Sequence, residues 1–169
     1  MLSYSKYIID AHAHIFPDKI AQKATDNIGR FYDLYMNFDG TADSLINQGS
    51  ECGVSKYVVQ SVATVPHQVK RINDFIVQSV AKYPDKLIGF GSLHPDMKGM
   101  EEEIDRLISL GLHGIKLHPD FQNFAINDEK ACHIYDAVGD KLPFLIHTGV
   151  YPYIIKPHKL MLRLFPLRP

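Results

Sequence analysis

The sequence has no excess of either charge: 18 Lys and Arg stand against 19 Asp and Glu, for a formal net charge of −1. Proteins that bind the phosphate backbone of nucleic acids carry clustered positive charge, so nucleic acid is not the expected partner. No apolar run reaches the roughly 20 residues of a membrane span. Residues 1–10 show no secretory signal. We therefore expect a cytoplasmic protein that does not contact a membrane.

Cysteine is also scarce. Cys52 and Cys132 are the only two in the sequence, and neither belongs to a C-x-x-C pair. A disulfide framework or a cysteine zinc site needs more cysteines at closer spacing. We predict that both are reduced thiols in the core of the protein.

Short apolar runs rich in Ile, Val, Leu and Phe are what the sequence does contain. They alternate poorly between apolar and polar residues, which is typical of strands covered on both faces in a parallel sheet. Five such strands are predicted, at residues 7–14, 54–60, 87–93, 114–118 and 143–147.

Segments with helical periodicity follow these strands. The predicted helices cover residues 18–32, 41–52, 66–83, 99–110 and 127–138, and another begins near Pro157. Strand and helix therefore alternate, which requires parallel neighbours and right-handed crossovers. Neither a linker nor a change in composition divides the chain, so residues 1–169 are predicted to form one α/β domain.

The number of units suggests part of a barrel. A (β/α) barrel with eight units takes about 250 residues, whereas five units are predicted here. We therefore expect a TIM-like (β/α) barrel, of which this chain holds the N-terminal five of eight units. An open five-stranded α/β sheet is the alternative.

The first strand carries the clearest chemical pattern. His12 and His14 are two residues apart, so their side chains leave the strand on the same face. They lie at its carboxyl end, where parallel barrels bind their ligands. Two imidazoles on a rigid strand provide half of a metal site, although surface or capping histidines would give the same pattern. Asp10 lies on the same face and could orient one of the two rings.

Three other predicted strands also end in a histidine or just before one. These residues are His94, His118 and His147. Because the carboxyl ends of parallel strands meet at one edge, five of the nine histidines are expected along a single rim. The pattern identifies this rim as the catalytic face.

Three motifs, DAHAHIFP, GIKLHPDFQNF and FLIHTG, resemble in order and approximate spacing those of the amidohydrolase superfamily. The resemblance points to the amidohydrolase-related branch, which includes enzymes similar to aminocarboxymuconate-semialdehyde decarboxylase. It implies that His12, His14 and His147 bind one divalent metal ion, for which histidine ligands favour zinc. The family takes a further histidine from strand six and an aspartate from strand eight. Neither strand lies within these 169 residues, so we expect this chain alone to be inactive or nearly so.

The resemblance leaves four other polar residues to interpret. Some branches of the superfamily bridge two metal ions with a carbamylated lysine on strand four, but one metal is usual in this branch. Lys116 and His118 are therefore predicted as catalytic residues that contact a substrate carboxylate or oxyanion, with a structural lysine as the alternative for Lys116. His94 and Asp120 are predicted to bind substrate. For His94, a simple turn is the alternative.

The leading function is a metal-dependent hydrolase or a non-oxidative decarboxylase that acts on a small carboxylated or cyclic substrate. A metal ion would activate water and polarise a substrate oxygen. One alternative is a TatD-type phosphoesterase or nuclease, and another is a non-catalytic fragment that only binds metal. We also expect self-association through open sheet edges, because an incomplete barrel leaves edges unpaired and exposes apolar residues such as Ile9, Val59 and Leu145.

Overall fold

A computed structural model describes residues 7–148 of the chain. Its strands are β1 (Ile8–His14), β2 (Val54–Gln60), β3 (Leu87–Gly89), β4 (Gly91–Ser92), β5 (Ile115–Leu117) and β6 (Phe144–Ile146). Its α-helices are α1 (Asp18–Tyr32), α2 (Ala42–Glu51), α3 (Val69–Lys82), α4 (Met100–Ser109), α5 (Pro119–Gln122) and α6 (Glu129–Val138). The helix predicted from Pro157 lies outside the described residues.

All strand pairs within residues 7–148 are parallel. The neighbours run in the order β1-β2-β3 and then β4-β5-β6. The third predicted strand is divided at Phe90 into β3 and β4, because the backbone changes partner there. The amide of Phe90 donates to Val59 at 2.9 Å, whereas that of Gly91 donates to Gly114 at 2.8 Å. The backbone therefore continues from the first three-stranded sheet into the second through Phe90.

The core lies between the strands and the helices that cover them. Its fully buried side chains include Val59 from β2, Ile76 from α3, Ile104 from α4 and Ile134 from α6. The helices begin and end where local chemistry requires. Thr41, for example, caps α2 by accepting a hydrogen bond from the amide of Ser44.

Several predictions about single elements are wrong in detail. Residues 66–83 contain a short 3-10 helix, Pro66–Gln68, before α3 begins. The unpredicted helix α5 follows β5 directly, since Pro119 suits the first helical position.

Among residues 7–148, no helix is both long and apolar enough to span a membrane.

The predicted burial of three residues is also wrong. Cys52 and Cys132 are both exposed free thiols rather than core residues, because one follows the end of α2 and the other lies on the outer face of α6. Val59 is fully buried, because it points outward from β2 into the layer of helices. Ile9 is exposed as predicted, with 46% of its surface accessible to solvent, whereas Leu145 is half-buried.

The helix α1 is inserted between β1 and α2, and the segment 33–40 folds back along it. The hydroxyl of Thr25 donates to the carbonyl of Asp39 at 2.9 Å. At Gly29 the backbone of Leu34 comes so close that a Cβ atom would lie 2.8 Å from its carbonyl oxygen. These contacts fix the C-terminal end of α1 beside the carboxyl ends of the strands.

Candidate metal centre and substrate cleft

The two histidines of β1 lie side by side at the rim. The Nε2 atoms of His12 and His14 are 3.2 Å apart. Lys116 on β5 extends toward them, and its Nζ atom lies 3.0 Å from Nε2 of His12. Because an ammonium group only donates hydrogen bonds, Nε2 of His12 is the acceptor. The backbone amide of His12 donates to Asp10 at 2.9 Å, so the Asp10 carboxylate supports the strand rather than an imidazole ring.

The other two histidines of the site form a stack. The rings of His118 and His147 have centroids 4.1 Å apart and planes inclined by 11°. Phe121 covers the opposite face of His118, with centroids 3.9 Å apart. The hydroxyl of Tyr32 lies 3.1 Å from Nε2 of His118 and 3.3 Å from Nε2 of His147. An aromatic residue of α1 therefore bridges two strand ends.

The electrostatics of the rim favour neutral imidazoles. Burial lowers the pKa of His14 to about 3 and that of His118 to about 3, with nearby positive groups adding to the effect. The pKa values of His12 and His147 are lowered too, first by burial and then by the charge of Lys116. These imidazoles are therefore neutral at neutral pH, which is the form that a metal site requires.

Lys116 is fully buried. Burial lowers the pKa of its amine to about 8, so most of the molecules keep this charge at neutral pH. No ion pair between Lys116 and a carboxylate occurs among residues 7–148. A buried ammonium group without a counter-charge is costly, and it therefore favours an anion nearby.

A large cleft opens above these groups. Its volume is about 1190 Å³. Histidines of the rim form its floor, and aromatic residues of α1, the segment 33–40 and α5 form its walls. The aromatic lining residues are Phe16, Phe31, Tyr32, Tyr35, Phe38, Tyr57 and Phe121. Such a cleft is apolar with a few polar groups at one side, as expected of a small-molecule site.

The two residues predicted to bind substrate occupy different positions. His94 is buried after β4, and its Nδ1 atom accepts a hydrogen bond from the amide of Asp96 at 3.1 Å. It does not belong to the set of residues that line the cleft. Asp120 is exposed in the first turn of α5. Burial and then the charge of Asp120 raise the pKa of Tyr32, whereas for His147 this charge only opposes the lowering of the pKa by burial and Lys116.

Residues that the motifs did not reveal also shape the site. Tyr32 is one, because nothing in the sequence relates the end of α1 to histidines 86 and 115 residues away. Gln122 is another. Its buried side-chain amide donates to the carbonyls of Ala63 and Leu93 at 3.0 and 2.6 Å and accepts from the amide of His118 at 2.8 Å. It thereby ties together the segments that follow β2, β4 and β5.

The donor set fits a metal ion in part. Two ligands at the usual zinc–nitrogen distance of about 2.0–2.1 Å in a tetrahedron are roughly 3.3 Å apart, close to the 3.2 Å between His12 and His14. Within residues 7–148, however, no three His, Cys, Asp or Glu side chains already surround a common point. The role of His147 as third ligand therefore stays a prediction.

The fold and the rim define a class of protein, namely a (β/α) barrel with its site at the carboxyl ends of the strands. A family model described as Amidohydrolase matches residues 9–169. The chain belongs to this amidohydrolase family, as its motifs predicted. The comparison with curated proteins found no match.

Solved structures support the same fold. A 5-carboxyvanillate decarboxylase from Novosphingobium aromaticivorans, with bound manganese and 3-methoxy-4-hydroxy-5-nitrobenzoic acid, is 20% identical with a TM-score of 0.67, over 88% of this chain and 53% of that one. A 4-oxalomesaconate hydratase from Rhodopseudomonas palustris is also 20% identical, with a TM-score of 0.57, over 83% of this chain and 52% of that one. A manganese-bound dihydroxybenzoic acid decarboxylase from a Polaromonas species is 16% identical, with a TM-score of 0.58, over 84% of this chain and 49% of that one.

This chain spans about half the length of the structures that it matches. The prediction of a partial (β/α) barrel is therefore confirmed.

Proposed function

We propose that this chain provides part of the active site of a metal-dependent hydrolase or non-oxidative decarboxylase for small carboxylated, cyclic substrates. The observation that carries this proposal is the position of His12, His14 and Lys116. Nε2 of His12 lies 3.2 Å from Nε2 of His14 and 3.0 Å from Nζ of Lys116. The two histidines line an aromatic cleft, and the buried Lys116 contacts His12 from below its surface.

The metal would be held by His12 and His14, with His147 as the third histidine. A divalent ion bound there supplies a Lewis acid that polarises a substrate oxygen or activates water. The spacing of the β1 pair and the neutral state of the rings support this assignment. Histidine donors favour zinc, whereas two of the solved relatives contain manganese. We propose zinc, with manganese as the alternative that metal analysis would distinguish.

The substrate class follows from charge and shape. Lys116 is a buried ammonium group without a carboxylate partner in the described part of the chain, so a substrate carboxylate would complete its charge balance. The aromatic walls suit a flat ring. His118 lies between Phe121 and His147, and its Nε2 atom would hydrogen-bond a second oxygen of the substrate in place of the Tyr32 hydroxyl. The aromatic acids in the names of two solved relatives agree with this class.

Turnover is proposed for a whole barrel. The family resemblance assigns a further histidine to strand six and an aspartate to strand eight, both beyond the strands of residues 7–148, and that aspartate would shuttle the proton. The present chain would bind the metal and orient the substrate carboxylate. The choice between hydrolysis and decarboxylation depends on the groups that the rest of a barrel adds.

The decisive experiment is metal analysis of the purified chain by elemental mass spectrometry and by titration with Zn²⁺ and Mn²⁺. We expect about one equivalent of bound metal, and a loss of affinity of at least about tenfold in His12→Ala and in His14→Ala. His113→Ala is the matched control, because His113 is exposed and precedes β5 at the opposite end of the strand. Equal metal binding by all four proteins would contradict the proposed metal site.

The carboxylate preference needs a separate test. The nitrobenzoic acid bound by the decarboxylase relative can serve as the probe. We expect Lys116→Gln to weaken its binding about tenfold or more, because a charge-assisted hydrogen bond is lost. Lys56→Gln on β2 controls for the change in net charge. An unchanged affinity in Lys116→Gln would remove Lys116 from the substrate site.

A further inference from the structure

The hydroxyl of Tyr32 has a defined position in the hydrogen bonds of the rim. It lies 3.1 Å from Nε2 of His118 and 3.3 Å from Nε2 of His147. Tyr32 is the last residue of α1, and Asp33 after it adopts a left-handed conformation with φ of 53°. The fold therefore brings this hydroxyl to the rim from a helix that lies outside the strand framework.

The direction of the hydrogen bond between His118 and Tyr32 can be worked out from His118. Its Nδ1 atom accepts a hydrogen bond from the amide of Phe121 at 3.4 Å. A neutral imidazole that accepts at Nδ1 carries its proton on Nε2, so Nε2 of His118 donates to the oxygen of Tyr32. The Tyr32 oxygen can also accept a second hydrogen bond, so the 3.3 Å contact occupies Nε2 of His147 whichever of the two atoms donates.

The nitrogen that contacts Tyr32 is one that a metal ion needs. A histidine ligates through an unprotonated nitrogen that has no other partner, so Nε2 of His147 has to leave its contact with Tyr32 before it can bind a metal ion.

We propose that the Tyr32 hydroxyl and a divalent metal ion compete for Nε2 of His147, so that metal binding releases Tyr32 from the histidine pair. This inference rests on the proposed metal site. Since Tyr32 ends α1, its release would also free the edge of the cleft formed by the segment 33–40. Tyr32 is thus a positioning residue that sets the metal affinity of the site.

The test is a metal titration of the full 169-residue chain with Zn²⁺ and with Mn²⁺. Tyr32→Phe should bind metal about fivefold more tightly than the wild-type protein, the factor that one ordinary hydrogen bond is worth. Tyr7→Phe is the matched control, since Tyr7 is 62% exposed and does not line the cleft, and its affinity should not change. The gain from Tyr32→Phe should disappear in the His147→Ala background.

A spectroscopic readout covers the case in which Tyr32→Phe is poorly folded. Metal addition to the wild-type protein should give an ultraviolet difference spectrum of tyrosine, because Tyr32 changes its hydrogen-bond partners. The same spectrum should appear in Tyr7→Phe and be absent in any folded Tyr32→Phe protein. A wild-type protein that binds metal without this signal would overturn the proposal.

The possible results separate this inference from the proposed function. Weaker or unchanged metal binding by Tyr32→Phe overturns the competition, and so does a gain that persists without His147. If metal binding is lost in His12→Ala but does not respond to Tyr32, the metal site stands and only the competition fails. A wild-type chain that binds no metal overturns both.

Discussion

Two buried glutamines at the rim should respond in opposite ways to the same substitution. Gln122 is 3% exposed and makes three hydrogen bonds to the backbone, at 2.6 to 3.0 Å. Gln60 is fully buried at the end of β2, and neither polar atom of its side chain has a hydrogen-bond partner among the described residues. Leucine has a similar volume and no polar atoms, so it tests what each amide contributes.

The magnitudes follow from these hydrogen bonds. Gln122→Leu leaves three buried backbone groups, those of Ala63, Leu93 and His118, without their partner. At about 1 kcal/mol or more for each lost bond, we expect a loss of about 3–5 kcal/mol in the free energy of unfolding. Gln60→Leu removes two buried polar atoms without partners, whose burial costs energy, so we expect the protein to gain about 1 kcal/mol.

Urea unfolding monitored by circular dichroism measures both changes. The wild-type protein and both variants should be compared at equal concentration, and equal m-values would show that the same surface is exposed on unfolding. Gln78→Leu on α3 is the control, because Gln78 is exposed and the same substitution there changes no buried hydrogen bond. A loss above about 1 kcal/mol in Gln60→Leu, or a loss below about 1 kcal/mol in Gln122→Leu, would refute the reasoning from hydrogen bonds.

Three further predictions concern pH, association and turnover. Burial lowers the pKa of His94 below 6.5, so the unfolded chain binds a proton that the folded chain does not. The free energy of unfolding should therefore fall below about pH 6.5, by up to about 1.4 kcal/mol per pH unit. His94→Asn can still accept the hydrogen bond from the Asp96 amide, so between about pH 7 and pH 5.5 its free energy of unfolding, measured in urea, should fall less than that of the wild-type protein. Because β1 exposes Ile8 and Ile9 at 40% and 46%, we expect the 169-residue chain to self-associate, and a monodisperse 19.2 kDa monomer in light scattering would contradict this. We also expect little or no metal-dependent turnover of aromatic acids by this chain, and robust activity of a mass-verified sample would show that another group, such as Asp120, moves the proton.

The sequence predicts the strands and the rim well, because both depend on local patterns. The histidine pair of β1 follows from its two-residue spacing, and the positions of Lys116 and His118 follow from their place at the end of a strand. Parallel pairing then brings these ends together. The motifs also predict the family, which the match over residues 9–169 confirms.

The parts that could not be predicted depend on contacts between distant segments. Tyr32 reaches its partners only because the segment 33–40 packs back on α1 through Thr25 and Gly29. Gln122 lies inside a motif, but its sequence context gives no sign of the two carbonyls that it binds. The exposure of Cys52 was unpredictable for a similar reason, since burial of a helix end depends on what packs against it.

The proposed metal and carboxylate site and the proposed substrate walls lie on different parts of the fold. His12, His14 and Lys116 lie on strands, whose backbone bonds to neighbours fix them precisely. The aromatic walls of the cleft come mostly from α1 and the segment 33–40, where Tyr35 and Phe38 are 87% and 56% exposed. Loops tolerate change better than strands do. Changes in these walls should therefore alter which ring is accepted, while the metal and carboxylate chemistry stays with the strands.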